Sequence, residues 1–239
     1  MSGKNIIAFS VWGDDPVYTR GAISNLVLRE RFYPDWEYRF YLDPRRPPNM
    51  VKLGREIEER GGAISFDGPE GPPGRVGLYW RLAALFDEGV DHVLFRDTDS
   101  RPSDREAVCV FEWLQSDCPV HVIRDHRSHT APLMGGLWGC VPAAVREMVP
   151  DLREQFDARL QYVLTTPMAN SKPRVGHLPF SDQEFLADTI WPCVKGDTFV
   201  HDESTAPGRG GHPFTVPTLH PSQFCGQAYN VQGVPKWKV

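Results

Sequence analysis

The segment HVLFRDTDS, residues 92–100, joins a short run of buried-strand character to a turn that carries two carboxylates. His92–Phe95 reads as a strand, and Arg96-Asp97-Thr98-Asp99-Ser100 stands at its C-terminal end. In an open α/β sheet, ligands gather beyond the C-terminal ends of the strands. Two aspartates with one residue between them, placed on such a turn, can face one ligand together. Hard divalent cations such as manganese or magnesium favour these oxygen donors. A bound cation could bridge to a diphosphate and neutralise the charge of a leaving group. The alternative at this point is a solvated strand-end turn in which Asp97 or Asp99 only caps a turn or helix.

Working outward, strands alternate with helices. Ile6–Val11 (IIAFSV) reads as a buried strand. Asp15 is a good N-cap and Pro16 a good first helical residue. That helix runs to about Phe32, with Ala22, Ile23, Leu26 and Val27 on its inner face. Trp36–Leu42 alternates as a half-buried strand. Met50–Arg60 is helical and ends at Gly61-Gly62, and Ala63–Phe66 is a short strand. The Pro- and Gly-rich Asp67–Arg75 (DGPEGPPGR) reads as a mobile loop. Leu78–Phe86 returns to helix. Past the D-x-D turn, Ser103 and Glu106 form a capping box for a helix through Trp113. Val120–Ile123 is a strand, and Ser181 with Glu184 is a second capping box, for a helix over DQEFLADTI. This order predicts a mostly parallel sheet covered on both faces. The last forty residues, rich in Gly, Pro and His, predict a loop-rich lobe. One domain over residues 1–239 is the simplest organisation.

Composition narrows the function. With 41% hydrophobic and 24% charged residues the chain is ordinary globular material, and its net charge of -5 comes without a basic stripe. That excludes a nucleic-acid-binding surface, so an anionic ligand needs local features or a metal. No run of 18 apolar residues exists, so no transmembrane segment is expected, and the N-terminal apolar run lacks the length and cleavage site of a signal peptide. The five cysteines, Cys109, Cys118, Cys140, Cys193 and Cys225, are odd in number and have no C-x-x-C spacing. Neither a disulfide framework nor a zinc site is expected, and a reducing cytoplasm fits.

The stretch LYWRLAALFDEGVDHVLFRDTDSR, residues 78–101, resembles the region around the D-x-D motif of GT-A-fold glycosyltransferases. The resemblance extends in patches to the first strand and its loop, to HTAPLMGGLWG (129–139), to the Asp-Gln of SDQEFL (181–186) and to the His of FVHDES (199–204). It implies a GT-A-like (Rossmann-like) mixed, mostly parallel sheet flanked by helices, and transfer of a sugar from a nucleotide-diphosphate sugar to a glycan, protein or small-molecule acceptor. It implies Mn2+ or Mg2+ held by Asp97, Asp99 and a third ligand near the C-terminus, His201, with Asp202 as a rival. It places Phe9, Ser10, Val11, Trp12 and Gly13 around the nucleoside, Arg81 and Asp97 toward the phosphates or sugar, and Gly135 and Gly136 beside the donor sugar. Each has a plain alternative: core packing for Trp12, a surface salt bridge for Arg81, a tight turn for the glycines, a satisfied structural imidazole for His201. Asp125 and Asp182 are both candidates for the base of an inverting reaction or the carboxylate that stabilises the sugar centre of a retaining one. An acid at Asp182 also suits a first helical turn.

Three other functions compete. A haloacid-dehalogenase-like phosphatase also ends a hydrophobic strand in two aspartates, but usually near the N-terminus and with a later paired-aspartate motif, whereas the adjacent pair Asp14-Asp15 here comes earlier. A non-catalytic nucleotide-sugar or glycan-binding module would have little reason to keep both D-x-D carboxylates. A nucleotidyltransferase would usually have a Gly-rich basic loop after its first strand, and Trp12-Gly13-Asp14-Asp15 is acidic.

Overall fold

The structure, a computed structural model, describes residues 3–167, 180–202, 210–218, 220 and 222–236. Their order is β1 (Lys4–Val11), α1 (Pro16–Phe32), β2 (Glu37–Leu42), α2 (Pro48–Glu59), β3 (Ala63–Ser65), α3 (Pro73–Trp80), β4 (Val90–Arg96), α4 (Asp104–Leu114), β5 (Val120–Arg124), β6 (Leu137–Cys140), α5 (Pro142–Met148), α6 (Leu152–Thr165), α7 (Asp182–Phe185), α8 (Trp191–Val194) and β7 (Thr198–Asp202).

The seven strands form one sheet in the order β3-β2-β1-β4-β6-β5-β7. All pairings are parallel except those of β6, which runs antiparallel to both β4 and β5. This is the mixed, mostly parallel sheet that the resemblance implies. The order reverses at β1, because β2 and β3 lie on one side of it and β4 on the other. A crevice therefore opens beyond the C-terminal ends of β1 and β4.

Alternate residues of each strand feed separate cores on the two faces. Ile6 and Ala8 pack with Val93, Phe95, Val122 and Trp138 beneath α3, α5 and α6. Ile7, Phe9 and Val11 pack with Tyr38, Phe40, Leu42 and Leu94 beneath α1, α2 and α4. Central strands buried on both sides read as continuous apolar runs, which is why IIAFSV and HVLF were legible. Among the described residues after β7, only isolated bridges pair the chain, His201 with His212 and Tyr229 with Pro235.

Several local expectations need correction. Val27 lies on the outer face of α1 and is 67% exposed. The Asp67–Arg75 segment is not all loop, because α3 begins at Pro73. It is also tied down: the Trp80 indole N–H donates to the Pro69 carbonyl at 3.0 Å, and Arg75 donates to the Thr166 carbonyl. The predicted helix over 78–86 is the end of α3 followed by a 3-10 stretch, Arg81–Phe86. Ser103 does cap α4, accepting from Glu106 N–H at 3.2 Å, but the Glu106 carboxylate turns to Arg96 instead of closing the box. The Ser181–Glu184 box does not form at all. Ser181 makes no side-chain cap, and Glu184 pairs with Arg159. The helix it was to start continues from α7 through a wider π turn, Leu186–Ile190, into α8.

One close approach holds the D-x-D turn against α1. Asn25 of α1 donates through Nδ2 to the carbonyls of Thr98 at 3.3 Å and Ser100 at 3.0 Å. Its neighbour Gly21 lies so near that an added Cβ would stand 2.1 Å from the Thr98 carbonyl oxygen. Replacing Gly by Ala inside a helix ordinarily stabilises by about 1 kcal/mol. Gly21→Ala is expected to do the opposite, losing about 1–3 kcal/mol through overpacking against backbone. Urea denaturation of the purified variant reads this directly, and a raised midpoint would show that the turn moves freely.

Candidate active site

Beyond the ends of β1 and β4 lies a cleft of about 470 Å³, lined by Ser10, Val11, Trp12, Tyr18, Gly74, Leu78, Arg81, Asp97, Thr98 and Asp99. Both D-x-D carboxylates thus face one space, together with the residues that end the first strand. Two aromatic side chains, Trp12 and Tyr18, share the lining. Trp12 meets Trp80 edge-on at 5.8 Å between ring centroids, and Gly77 of α3 makes room for it, since a Cβ there would stand 2.6 Å from the indole. Trp12 is partly buried against the core and also lines the cleft. Ser10 does not face outward alone: its hydroxyl accepts the Arg81 backbone N–H at 3.0 Å and so joins β1 to the segment after α3.

Arg81 organises the floor. Only 2% exposed, it donates through Nη1 to Asp97 Oδ1 at 2.6 Å and to the Arg96 carbonyl at 2.8 Å, and through Nη2 to Asp182 Oδ2 at 2.8 Å. The salt bridge foreseen for it exists, but inside the protein instead of on its surface. Burial pulls the guanidinium down, but Asp97 and Asp182 outweigh it and raise its pKa, so it stays a cation. Burial also pushes Asp182 up, with Asp97 adding to it and Arg81 opposing. Gly135 and Gly136 fit this arrangement closely. A Cβ at 135 would stand 2.8 Å from Asp182 Oδ2, and a Cβ at 136 would stand 2.2 Å from Asp97 Oδ2. Their absence of side chains is what lets the two carboxylates sit where they do.

Asp99 is the more buried of the D-x-D pair, with 17% of its side chain exposed against 49% for Asp97. Burial raises its pKa, the nearby Asp97 charge adds to this, and Lys236 opposes it. Lys236 was not foreseen. Its amine donates to Asp99 Oδ2 at 3.2 Å and lies 5.8 Å from the Tyr18 ring centroid. The same C-terminal segment donates Tyr229 N–H to the Asp99 carbonyl at 2.8 Å. Nothing in the local sequence PKWK could have placed Lys236 here, because the contact spans 137 positions. Tyr18 and Leu78 also line the cleft, and nothing in the spacing of these helical apolar residues marks them as part of a site.

The donor set suits a divalent cation in part. Two carboxylates face one cleft, and each already has a side-chain cation beside it, Arg81 at Asp97 and Lys236 at Asp99. Among the described residues no group of three or more His, Cys, Asp or Glu side chains could hold a metal. The third ligand expected at His201 is therefore a correction. His201 lies on β7, fully buried, with Nδ1 at 3.0 Å from His121 Nε2 and Nε2 at 2.7 Å from Glu112 Oε2. Both ring nitrogens are engaged away from the cleft. Its rival Asp202 pairs with Arg124 at 3.1 Å, and Glu203 and Ser204 of the same motif lie outside the described residues.

Three further placements differ from expectation. Asp125 is clasped by Arg105 at 2.6 and 2.7 Å and accepts the Cys225 N–H at 2.8 Å. It is a buried structural carboxylate, not brought to the cleft. Phe9 points into the core and stacks on Phe40 at 4.8 Å, so only its neighbours Ser10–Trp12 reach the cleft. Gly13 has φ +73° and turns the chain, its carbonyl accepting from Asn49 at 2.7 Å, and it is not among the cleft's lining residues.

No family model matches this chain, and no curated protein does. Among solved structures it is similar to a glycosyltransferase involved in glycosylation of the major capsid of PBCV-1, at 14% identity over 83% of this chain and 81% of that one, with a TM-score of 0.47. It is similar to the galactosyltransferase LgtC in complex with donor and acceptor sugar analogs, at 15% identity over 83% and 73%, with a TM-score of 0.46. It is also similar to mannosyltransferase PcManGT from Pyrobaculum calidifontis in complex with GDP-Man and Mn2+, at 13% identity over 63% and 48%, with a TM-score of 0.45. Similarities at this level transfer no residue roles.

Two expectations follow from the geometry. Arg81→Met leaves Asp182 buried without its cation, which costs about 3–5 kcal/mol. Adding Asp182→Asn to that variant is expected to recover part of the loss, as measured by a double-mutant cycle in urea. Strict additivity of the two substitutions would show that the pair is not coupled. The second concerns His129, whose Nδ1 accepts the Asp125 N–H at 3.1 Å. Burial, helped by the His126 charge, lowers its pKa to about 4. The unfolded chain takes up this proton at higher pH than the folded one, so stability falls as pH drops from about 6.5 toward 4, by on the order of 3 kcal/mol. His129→Gln is expected to flatten the pH dependence of the urea midpoint across that window.

Proposed function

We propose that this chain is a divalent-cation-dependent glycosyltransferase that moves a sugar from a nucleotide-diphosphate sugar to a glycan, protein or small-molecule acceptor. The observation that carries this reading is the shared cleft: Asp97 and Asp99 line it together with Ser10, Val11 and Trp12, at the point where the strand order reverses. Aromatic walls beside paired carboxylates suit a ligand with a flat base at one end and a diphosphate at the other. The reading is in keeping with the complexes of LgtC with donor and acceptor sugar analogs and of PcManGT with GDP-Man and Mn2+.

Asp97 and Asp99 would hold Mn2+ or Mg2+, which when bound supplies charge stabilisation at a departing diphosphate. Phosphate oxygens and water would complete a coordination shell to which the described residues bring only two carboxylates. Arg81 orients Asp97 through its 2.6 Å contact, and Asp182 acts through Arg81 as a positioning residue. Gly135 and Gly136 leave space for these carboxylates. Lys236 meets the Asp99 carboxylate at 3.2 Å and would offer its charge to a phosphate held there. Trp12 and Tyr18 supply the flat apolar surface that excludes water from the nucleoside end. The cytoplasm is the compartment that suits its free cysteines, and no helix among the described residues is long and apolar enough to cross a membrane.

The test is a screen of nucleoside diphosphates by thermal shift, with and without manganese. A ligand at a hundred times its Kd stabilises the native state by about 2.7 kcal/mol. One base is expected to stand out, and only with manganese present. Asp97→Asn and Asp99→Asn are each expected to abolish that manganese-dependent shift. They should lower glycosyl transfer, or donor hydrolysis when no acceptor is supplied, by about two orders of magnitude or more. Metal-independent binding of equal strength in all three proteins would refute the reading.

A further inference from the structure

Beside the edge strand β7 and α8 lies a second cavity, of about 630 Å³, bounded by Arg124, Trp191, Lys195, Thr198, Val200 and His212. It shares no lining residue with the cleft. Its volume is in the range of small-molecule sites. The function proposed above makes no use of it.

Charge sets this cavity apart. Every titratable side chain among the described residues of its lining is basic. A larger cavity of about 800 Å³ over β2 and β3 also holds basic groups, but there Lys4 and Arg39 pair with Glu37, Arg39 also with Asp87, and Arg153 with Asp157. Beside β7, Arg124 is answered by Asp202 at 3.1 Å, whereas Lys195 is exposed and enters no ion pair among the described residues. The chain as a whole has a net charge of -5, so this basic lining is a local feature and not a consequence of composition. A cation in a concave, partly apolar surround attracts an anion more strongly than one on open surface.

The walls are held in place. The Arg124 guanidinium donates to the carbonyls of Ala131 at 3.3 Å and Pro132 at 2.7 Å as well as to Asp202, and stands 5.5 Å from the Trp191 ring centroid. Trp191 adds a flat apolar surface. His212 is fixed to β7 by its N–H, which donates to the Val200 carbonyl at 2.7 Å, and its ring stacks on Phe199 at 4.0 Å. Groups fixed in this way lose little freedom when a ligand arrives.

We propose that this cavity binds a small molecule carrying a phosphate or carboxylate group, with the Lys195 amine as the principal cation. The two ligand types share one chemistry, an oxyanion that accepts charge-assisted hydrogen bonds from an ammonium. The His212 imidazole lines the same space and adds a donor. Thr198 serves the fold instead, since its hydroxyl donates to the Val194 carbonyl at 2.7 Å.

The test is isothermal titration calorimetry of the full chain in metal-free buffer of low ionic strength, where charge attraction is least screened. The probes are inorganic phosphate, glucose 6-phosphate and glucuronate, with glucose as the neutral control. Saturable binding of at least one anionic probe is expected, and none of glucose. Binding of phosphate or glucose 6-phosphate without glucuronate identifies a phosphate ligand, and the reverse pattern a carboxylate. Lys195→Gln is expected to weaken binding about tenfold, and Lys195→Glu to abolish it. Lys195 is exposed, so both variants keep the core intact. Arg124 is left in place, because its loss would strand the buried Asp202. Failure of every anionic probe to saturate would overturn the proposal, as would binding of equal strength in the wild-type chain and Lys195→Glu. No nucleotide, metal or cleft residue enters these measurements, so this inference and the functional reading can fail separately.

Discussion

The Arg81 guanidinium is the interaction on which the rest of the site depends. Placed under the cleft by the backbone bond to Ser10, it holds Asp97 at the surface and Asp182 in the interior at the same time. Two carboxylates this close to each other would repel, and one of them is fully buried. A guanidinium solves this better than an ammonium, because its planar fork gives separate N–H donors to each partner and to the Arg96 carbonyl. The two glycines at 135 and 136 follow from the same constraint. Any side chain there would drive into the oxygens that Arg81 has positioned.

The same device recurs along the C-terminal ends of the central strands. Arg96 pairs with Glu106, Arg105 with Asp125, and Arg124 with Asp202, all with side chains no more than 6% exposed. Buried pairs of this kind contribute little net stability but are costly to break. Here they fasten strand ends to α4, to β7 and to the loop before β6. This explains why acidic residues near strand ends were ambiguous as candidate functional groups. Asp125 and Asp202 have the residue type and the position of catalytic carboxylates, yet each is consumed by an arginine. Asp97 and Asp99 differ in facing a cleft.

The C-terminal segment is the part of the site with least local signal. It has no regular structure among its described residues, yet it supplies the cation at Asp99 and packs Phe224 on His126 at 4.3 Å. Irregular chain of this kind is held by scattered hydrogen bonds and single side chains, none of which repeats with a period that a sequence can display.

What the sequence determined by itself was set by short-range physics. Short continuous apolar runs rich in β-branched and aromatic residues and bounded by turn signals suit strands buried on both faces, so β1 and β4 were legible, and so was the D-x-D turn at the end of β4. Asp15 with Pro16 started α1, because cap chemistry acts within a few residues. The glycines at 135 and 136 were visible as small residues, though not the carboxylates that require them. Tertiary structure alone decided which charges met. His201 went to Glu112 and His121, Asp125 to Arg105, Phe9 to the core, and Lys236 to Asp99. β6 entered the sheet antiparallel between β4 and β5, where a short stretch rich in glycine gave no strand signal of its own. The reason is the same in each case. A buried charge or imidazole must find a partner wherever the folded chain brings one, and that partner lies tens of residues away, beyond the reach of any local pattern.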